Sequence, residues 1–287
     1  MDSIQNLYSF VKKLPEKAKG ISIVELHVEV LDMLFEDTSK RLEKIGKDTI
    51  QKFREEYGII LDMEQVKFSY LSSCRLRWRR PEKEEDGYLD GGFSFNGLTD
   101  IFSRNLQFWK KSVEEFKEYE NEKLIDLKLL KQLRWIESPT IPIEAEYTPQ
   151  FGCVKLQKGK LPDEFYYYDS GIIYPIPFKS FDEYVDGLVA SGSVTCWQYF
   201  YVDPELIISK NKEIKYITWS KHTTSRLGGG IDSIHFKPEV KYDRLDLINE
   251  YMERCVRLLP ESFPFINFTY HKKHYSEFEK LYKKLRK

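Results

Sequence analysis

The stretch EFYYYDSGIIYPIPFKSFDEYVDGLVASG, from Glu164 to Gly192, changes its hydrophobic period half-way along. Its first half is two aromatic and β-branched runs around Asp169-Ser170-Gly171, which predicts strand, turn and strand. In its second half Phe181, Tyr184, Val185, Leu188 and Val189 fall at i, i+3, i+4, i+7 and i+8, one face of a helix. Ser180 with Glu183 three residues on forms a capping-box pattern, and Gly192 is placed to end the helix. A hairpin followed at once by an amphipathic helix needs each to bury its apolar face on the other, so the chain is predicted to be α+β. The expected architecture is a mostly antiparallel sheet flanked by helices, with extra helical segments. CVKL supplies a further strand, joined through a turn at Lys158-Gly159, and Pro175 and Pro177 place the last strand at an edge. Val194–Val202 (VTCWQYFYV) reads as another strand, with Cys196 and Trp197 on opposite faces.

Upstream, residues 1–57 read as helical. Ile4, Leu7, Tyr8 and Val11 recur at helical spacing up to a break at Leu14-Pro15. Ser22 with Glu25 predicts a second capped helix whose apolar face holds Val24, Val28, Leu31, Leu34 and Leu42. Asp48 restarts a helix that Gly58 stops, and Asp62 caps a short one carrying Val66, Phe68, Tyr70 and Leu71. Leu76 and Trp78 alternate with Arg75, Arg77 and Arg79, the period of a half-buried strand. Pro81–Gly92 is expected to be a loop, and Phe93 and Phe95 mark the next strand. Residues 98–134 return to helical spacing, and Thr140–Pro149 is extended. Residues 205–219 fit strand or short helix. Tyr242–Leu259 and Tyr275–Leu285 are predicted helices, separated by Pro260–Pro264. No shift in composition marks a linker, so one domain is expected across 1–287, with a core at about 45–205, an N-terminal extension 1–44 and a C-terminal extension 206–287.

The 45 basic and 46 acidic residues give a net charge of −1, which encodes no long-range attraction to nucleic acid or to anionic membrane. Cys74, Cys153, Cys196 and Cys255 are scattered and fit no Cys-x-x-Cys pattern. The first residues have no apolar signal-like core, and no run reaches the length of a membrane span, so a cytoplasmic protein with reduced thiols is expected.

Cys196-Trp197 after Gly192-Ser193 suggests a thiol protease, but that chemistry places its cysteine at a helix N-terminus, where the dipole lowers the thiol pKa. Here the helix precedes the cysteine, so Cys196 reads as structural. His271 and His274 lack a full ligand set and read as surface histidines. Gly228-Gly229-Gly230 does not fit a phosphate-loop pattern and reads as a flexible loop. Neither a catalytic set, a metal site nor a cofactor motif emerges. The run CRLRWRRP is the strongest functional signal. Its arginines lie beside the acidic run EKEEDGYLD, which screens them from phosphate and favours a protein partner. Candidate partner-binding residues are therefore Arg77, Arg79 and Arg80 together with Glu84, Glu85, Asp86 and Asp90. The stripe Tyr251, Cys255, Leu258 and Leu259 also suits helix-mediated dimerisation, so oligomeric state stays open.

Taken in order, FREEYGIILDMEQVKFSYLSSCRLRW resembles the opening of the SUKH superfamily, at Phe53, Tyr57, Gly58, Ile59, Leu61, Phe68, Tyr70, Leu71, Leu76 and Trp78. GGFSFNGLTDIF is similar to that family's next strand and short helix. Ser180, Phe181, Glu183 and Tyr184 match its closing "Ser-Phe-x-Glu-Tyr" helix. Asp62 and Ser72-Ser73 depart from the family's usual proline and Asn-Gly. The superfamily includes the fungal cell-wall-synthesis regulator and many bacterial toxin-immunity proteins. The resemblance implies a helix-wrapped sheet that binds a protein, such as a cognate toxin, and does no catalysis; the alternative is a regulatory scaffold with a cellular partner.

Overall fold

The computed structural model describes residues 3–28, 39–81, 89–98, 101, 126–137, 150–155, 164–169, 171–225 and 231–287. It is an α+β protein. Helix α1 (Ser3–Lys17) leads to strand β1 (Ser22–His27), then α2 (Ser39–Tyr57), α3 (Met63–Tyr70), β2 (Arg75–Arg80) and β3 (Leu89–Ser94). A short α4 (Leu127–Leu130) precedes β4 (Leu133–Trp135), β5 (Gln150–Lys155), β6 (Phe165–Asp169) and β7 (Ile172–Ile176). Helices α5 (Phe181–Ala190) and α6 (Pro204–Asn211) flank a 3-10 turn at Trp197–Phe200. The ribbon β8 (Lys215–Ser225) and β9 (Ile231–Asp243) is followed by α7 (Arg244–Ser262) and α8 (Thr269–Leu285). The strands form antiparallel sheets in the orders β1-β2-β3, β4-β5-β6-β7 and β8-β9.

The four-stranded sheet explains why its sequence is aromatic on both phases. Phe165, Tyr167, Ile172, Tyr174 and Val154 face the main core, while Tyr168, Ile173, Phe151 and Cys153 join Leu130, Leu133 and Trp135 in a second one. Both faces are covered, so neither phase is polar. Strand β7, with Pro175, lies at the sheet edge as its prolines predict. Helix α5 is the hub. Ser180 Oγ accepts from the Glu183 N–H at 3.1 Å, and Glu183 Oε2 in turn accepts from the Lys179 N–H at 2.7 Å. Phe181 packs on Phe68 of α3 and on Phe165 of β6, at 4.3 and 5.3 Å between ring centroids. Helix α1 lies along its other side, through Ser3 to Asp182 and Asn6 to Asp186. Tyr184 packs over Gly152, where any Cβ would overlap its hydroxyl.

Other predicted boundaries hold for the expected reasons. Gly58 adopts φ +65° and closes α2 by a Schellman pair, with its own N–H on Arg54 O and the Ile59 N–H on Phe53 O. Asp62 and Gln65 cap α3 reciprocally at 2.8 and 3.1 Å.

Several expectations are corrected. Ser22 does not cap a helix; Ser22–His27 is β1, because β2 needs a partner on that side and the Ile23-Val24 pair suits a strand. Val194–Val202 is not a strand. Ser193 (φ 52°) and Cys196 (φ 57°) are left-handed, which breaks any extended run. Trp197, Gln198, Tyr199 and Phe200 are all buried, so the β-like composition reflects burial on every side rather than alternation. Leu133 belongs to β4 and Leu89 to β3 rather than to a helix and a loop. Helix α1 continues past Pro15, α2 is under way at Ser39 rather than restarting at Asp48, and α7 runs through Pro260. Helix α8 begins at Thr269, Tyr242 lies in β9, and residues 205–219 split into α6 and the start of β8. The stripe at Cys255, Leu258 and Leu259 is buried in the chain's own core, with the Tyr251 hydroxyl donating to Thr195 O, so it is not a dimer face. Leu31, Leu34, residues 102–125 of the expected helical run, Thr140 to Pro149, the Lys158-Gly159 turn and the triple glycine lie outside the described residues.

Candidate functional site

Strand β2 is the middle strand of its sheet, and its alternation sorts its side chains. Leu76 and Trp78 are 0% and 1% exposed and point into the core. Trp78 is locked there: its indole N–H reaches Gly192 O and Ser193 Oγ at 3.1 Å each, and its ring meets Phe263 edge-on. Arg75, Arg77 and Arg79 therefore share the outer face. Register places Arg77 opposite Glu25 of β1, Arg79 opposite Asp90 of β3, and Arg75 opposite His27 and Ser94. The result is a row of arginines with acidic residues beside it, a mixed-sign surface.

Arg80 departs from the expected outward position. It falls on the inward phase with Trp78, its side chain 12% exposed, and reaches the end of α7. It donates to Leu258 O at 3.1 Å and to Ser262 Oγ at 2.8 Å, and pairs with Glu261 at 2.9 Å. A guanidinium there satisfies a last-turn carbonyl and opposes the negative end of the helix dipole. Asp90, half-buried on the outer phase opposite Arg79, is held at Thr195: its carboxylate accepts from Thr195 Oγ1 at 2.9 Å and its carbonyl from Thr195 N at 3.0 Å. Glu84, Glu85 and Asp86 lie outside the described residues.

Cys196 sits in the left-handed turn with its thiol donating to Gln150 Oε1 at 2.7 Å. Burial, then the nearby Asp169 charge, pushes that thiol well above the ordinary cysteine range. A thiol held protonated is a poor nucleophile. The four cysteines are free.

Two buried polar centres escaped the sequence reading. In the first, Arg244 pairs with Asp169 at 2.9 Å, with both side chains about 5% exposed or less. The same guanidinium donates to Asp169 O at 3.0 Å, while Gln150 and the Tyr199 hydroxyl donate to the Asp169 carboxylate. In the second, Glu137 Oε2 accepts from Gly152 N at 3.1 Å and Gln198 Nε2 at 2.9 Å, with the Tyr184 hydroxyl alongside. Burial raises the Glu137 pKa, and hydrogen bonds from neutral groups offset only part of that. Arg244 lies 75 residues from Asp169, so no local pattern announces the pair.

His271 and His274 are likewise not surface histidines: they are 1% and 8% exposed. The signal was present, since Phe268, His271, His274, Tyr275 and Phe278 make one helical stripe. Among the described residues, no group of three or more His, Cys, Asp or Glu side chains is placed to hold a metal ion. No helix among them is long and apolar enough to cross a membrane. No protein-family model, curated protein or solved structure matches the chain.

Proposed function

We propose that this chain is a non-catalytic protein-binding module of the cytoplasm and, following the SUKH resemblance, an immunity protein that binds and neutralises a bacterial toxin. The observation that carries this reading is the outer face of β1-β2-β3. There Arg75, Arg77 and Arg79 stand in a row on the middle strand, opposed by Glu25 and Asp90. Mixed charges at close spacing suit the polar rim and arginine anchors of a protein interface better than a polyanion. The interior polar groups support the same reading: Arg80, Asp169, Arg244 and Gln198 all have partners within the fold. Cys196, the one nucleophile with a suggestive sequence context, holds its proton.

A toxin-domain gene is expected beside this one, and the test is its co-expression with this chain, followed by affinity capture. Protection of the cells and co-purification are expected. Absence of both overturns the immunity reading. Recovery of an endogenous cellular protein without protection favours the regulatory scaffold instead. Rapid alkylation of Cys196 by iodoacetamide in the folded protein at neutral pH would reopen a thiol enzyme.

A further inference from the structure

The Ser191–His271 contact fixes a protonation state. Ser191 Oγ donates its single hydrogen to Gly187 O at 2.8 Å, at the end of α5. Its 2.8 Å bond with His271 Nε2 therefore has the imidazole as donor. The hydrogen is on Nε2 and Nδ1 carries the lone pair; Nδ1 is buried and has no hydrogen-bond partner. Aromatic rings enclose the imidazole: Phe200 and Tyr201 from the 3-10 turn and its end, Phe268 and Tyr270 from the start of α8, at 4.9 to 5.9 Å between centroids. A neutral ring fits this site, whereas an imidazolium directs a second N–H at nothing that accepts it. His274, one turn on, is buried by the same docking.

We propose that α8 is an acid-released clamp: beside its packing on α6 and α7, where Tyr282 and Arg286 meet Asp246, neutral His271 and His274 hold it against Ser191 at the end of α5 and against the Trp197–Phe200 turn, and their protonation undocks it. The groups that face the pair are few. From α5 comes the uncharged Ser191 hydroxyl; from the 3-10 turn and the residues after it, Tyr201, the backbone of Tyr199 and Val202, and Asp203; from α8 itself, Tyr270 and Glu277. Glu277, Asp203 and the two backbone groups favour a charged His274, but burial outweighs them. For His271, burial and then His274 push the pKa down to about 4. The docked state thus refuses a proton that a free histidine takes at its ordinary 6.5. Docking is unaffected above that value and weakens as pH falls, by roughly 150-fold at pH 4 from His271 alone.

Hydrogen exchange of the full chain at pH 7 and pH 4.5, expressed as protection factors, tests this. The α8 amides are expected to lose at least tenfold in protection while β5, β6 and β7 keep theirs, and His271→Gln with His274→Gln is expected to abolish the difference. Unchanged α8 protection in the wild type, or loss shared equally by the β-sheet, overturns the proposal. So does an unaltered acid response in a folded double variant. If that variant does not fold, NMR titration of the wild-type imidazoles decides: a His271 midpoint near 4 coincident with α8 release supports the clamp, and one near 6.5 overturns it.

Discussion

Asp169 and Glu137 are both buried carboxyls that hold distant parts of the chain together, and they are stabilised in opposite ways. Asp169 faces a guanidinium and further neutral donors, so a charged pair is kept inside. Glu137 is met by neutral donors, and burial favours its protonated form. The first arrangement ties β6 to the start of α7 and the second ties the β4 end to β5 and the 3-10 turn. The contrast lies in the partner: one buried carboxyl is matched by a cation, the other by neutral donors.

The largest effect is expected from separating the charged pair. Arg244→Met leaves Asp169 buried beside Tyr199 and Gln150 without its cation, which costs about 3–5 kcal/mol. Urea unfolding measures this, and adding Asp169→Asn is expected to recover much of the loss, because a neutral replacement for a whole buried pair is far less costly than half of one. If the double variant is as unstable as the sum of the singles, the pair is not coupled and the contrast with Glu137 fails.

Glu137→Gln is expected to cost no more than about 1 kcal/mol, since an amide mimics a neutral carboxyl and keeps the Gly152 and Gln198 contacts. Its pH dependence is the sharper readout. A raised folded pKa means the folded protein keeps a proton that the unfolded chain releases, so this group's contribution to stability is fully present below the unfolded pKa and is lost as pH rises through the folded one. As pH rises above the ordinary 4.5 of a glutamate, unfolding midpoints are therefore expected to fall less steeply in Glu137→Gln than in wild type. His271 has the opposite sign, gaining stability as pH rises from about 4 to 6.5, so the two slopes must be separated by variants.

Local rules made part of this molecule legible. Ser180, Glu183, Asp62, Gly58 and the alternation at Leu76 and Trp78 each act within a few residues, and the structure has each where the spacing put it. What was not legible depends on residues far apart. Ile23-Val24 became a strand because β2 lay beside it, and Trp197 to Phe200 became a buried turn because the core surrounds it. Arg80 was read with its neighbours as a surface arginine; its true partners at Leu258 and Ser262 are about 180 residues on. Separation along the chain likewise hid Arg244.

Helix capping gives an intermediate test. Ser180→Ala removes the acceptor for the Glu183 N–H, at a cost of about 1 kcal/mol. Because α5 carries contacts to α1, α3 and β6, the loss is expected in the global transition rather than as local fraying. A thermal scan followed by both far-UV signal and tryptophan emission checks this: the two midpoints should shift together.

The smallest effect on stability is expected at the arginines that face outward. Arg77 and Arg79 lie opposite Glu25 and Asp90 across exposed or half-buried sheet positions, where an ion pair adds little. Arg77→Ala and Arg79→Ala are each expected to change stability by less than about 0.5 kcal/mol, against the several kcal/mol for Arg244. Their combined loss is expected to weaken capture of the partner at least tenfold, and the salt dependence of the association rate should flatten, as it does when rim charges are removed. Measuring both quantities on one variant separates the two uses of arginine in this chain. A large drop in stability would make the β2 row part of the framework, like Arg80, whereas lost binding with an unchanged transition assigns it to the interface.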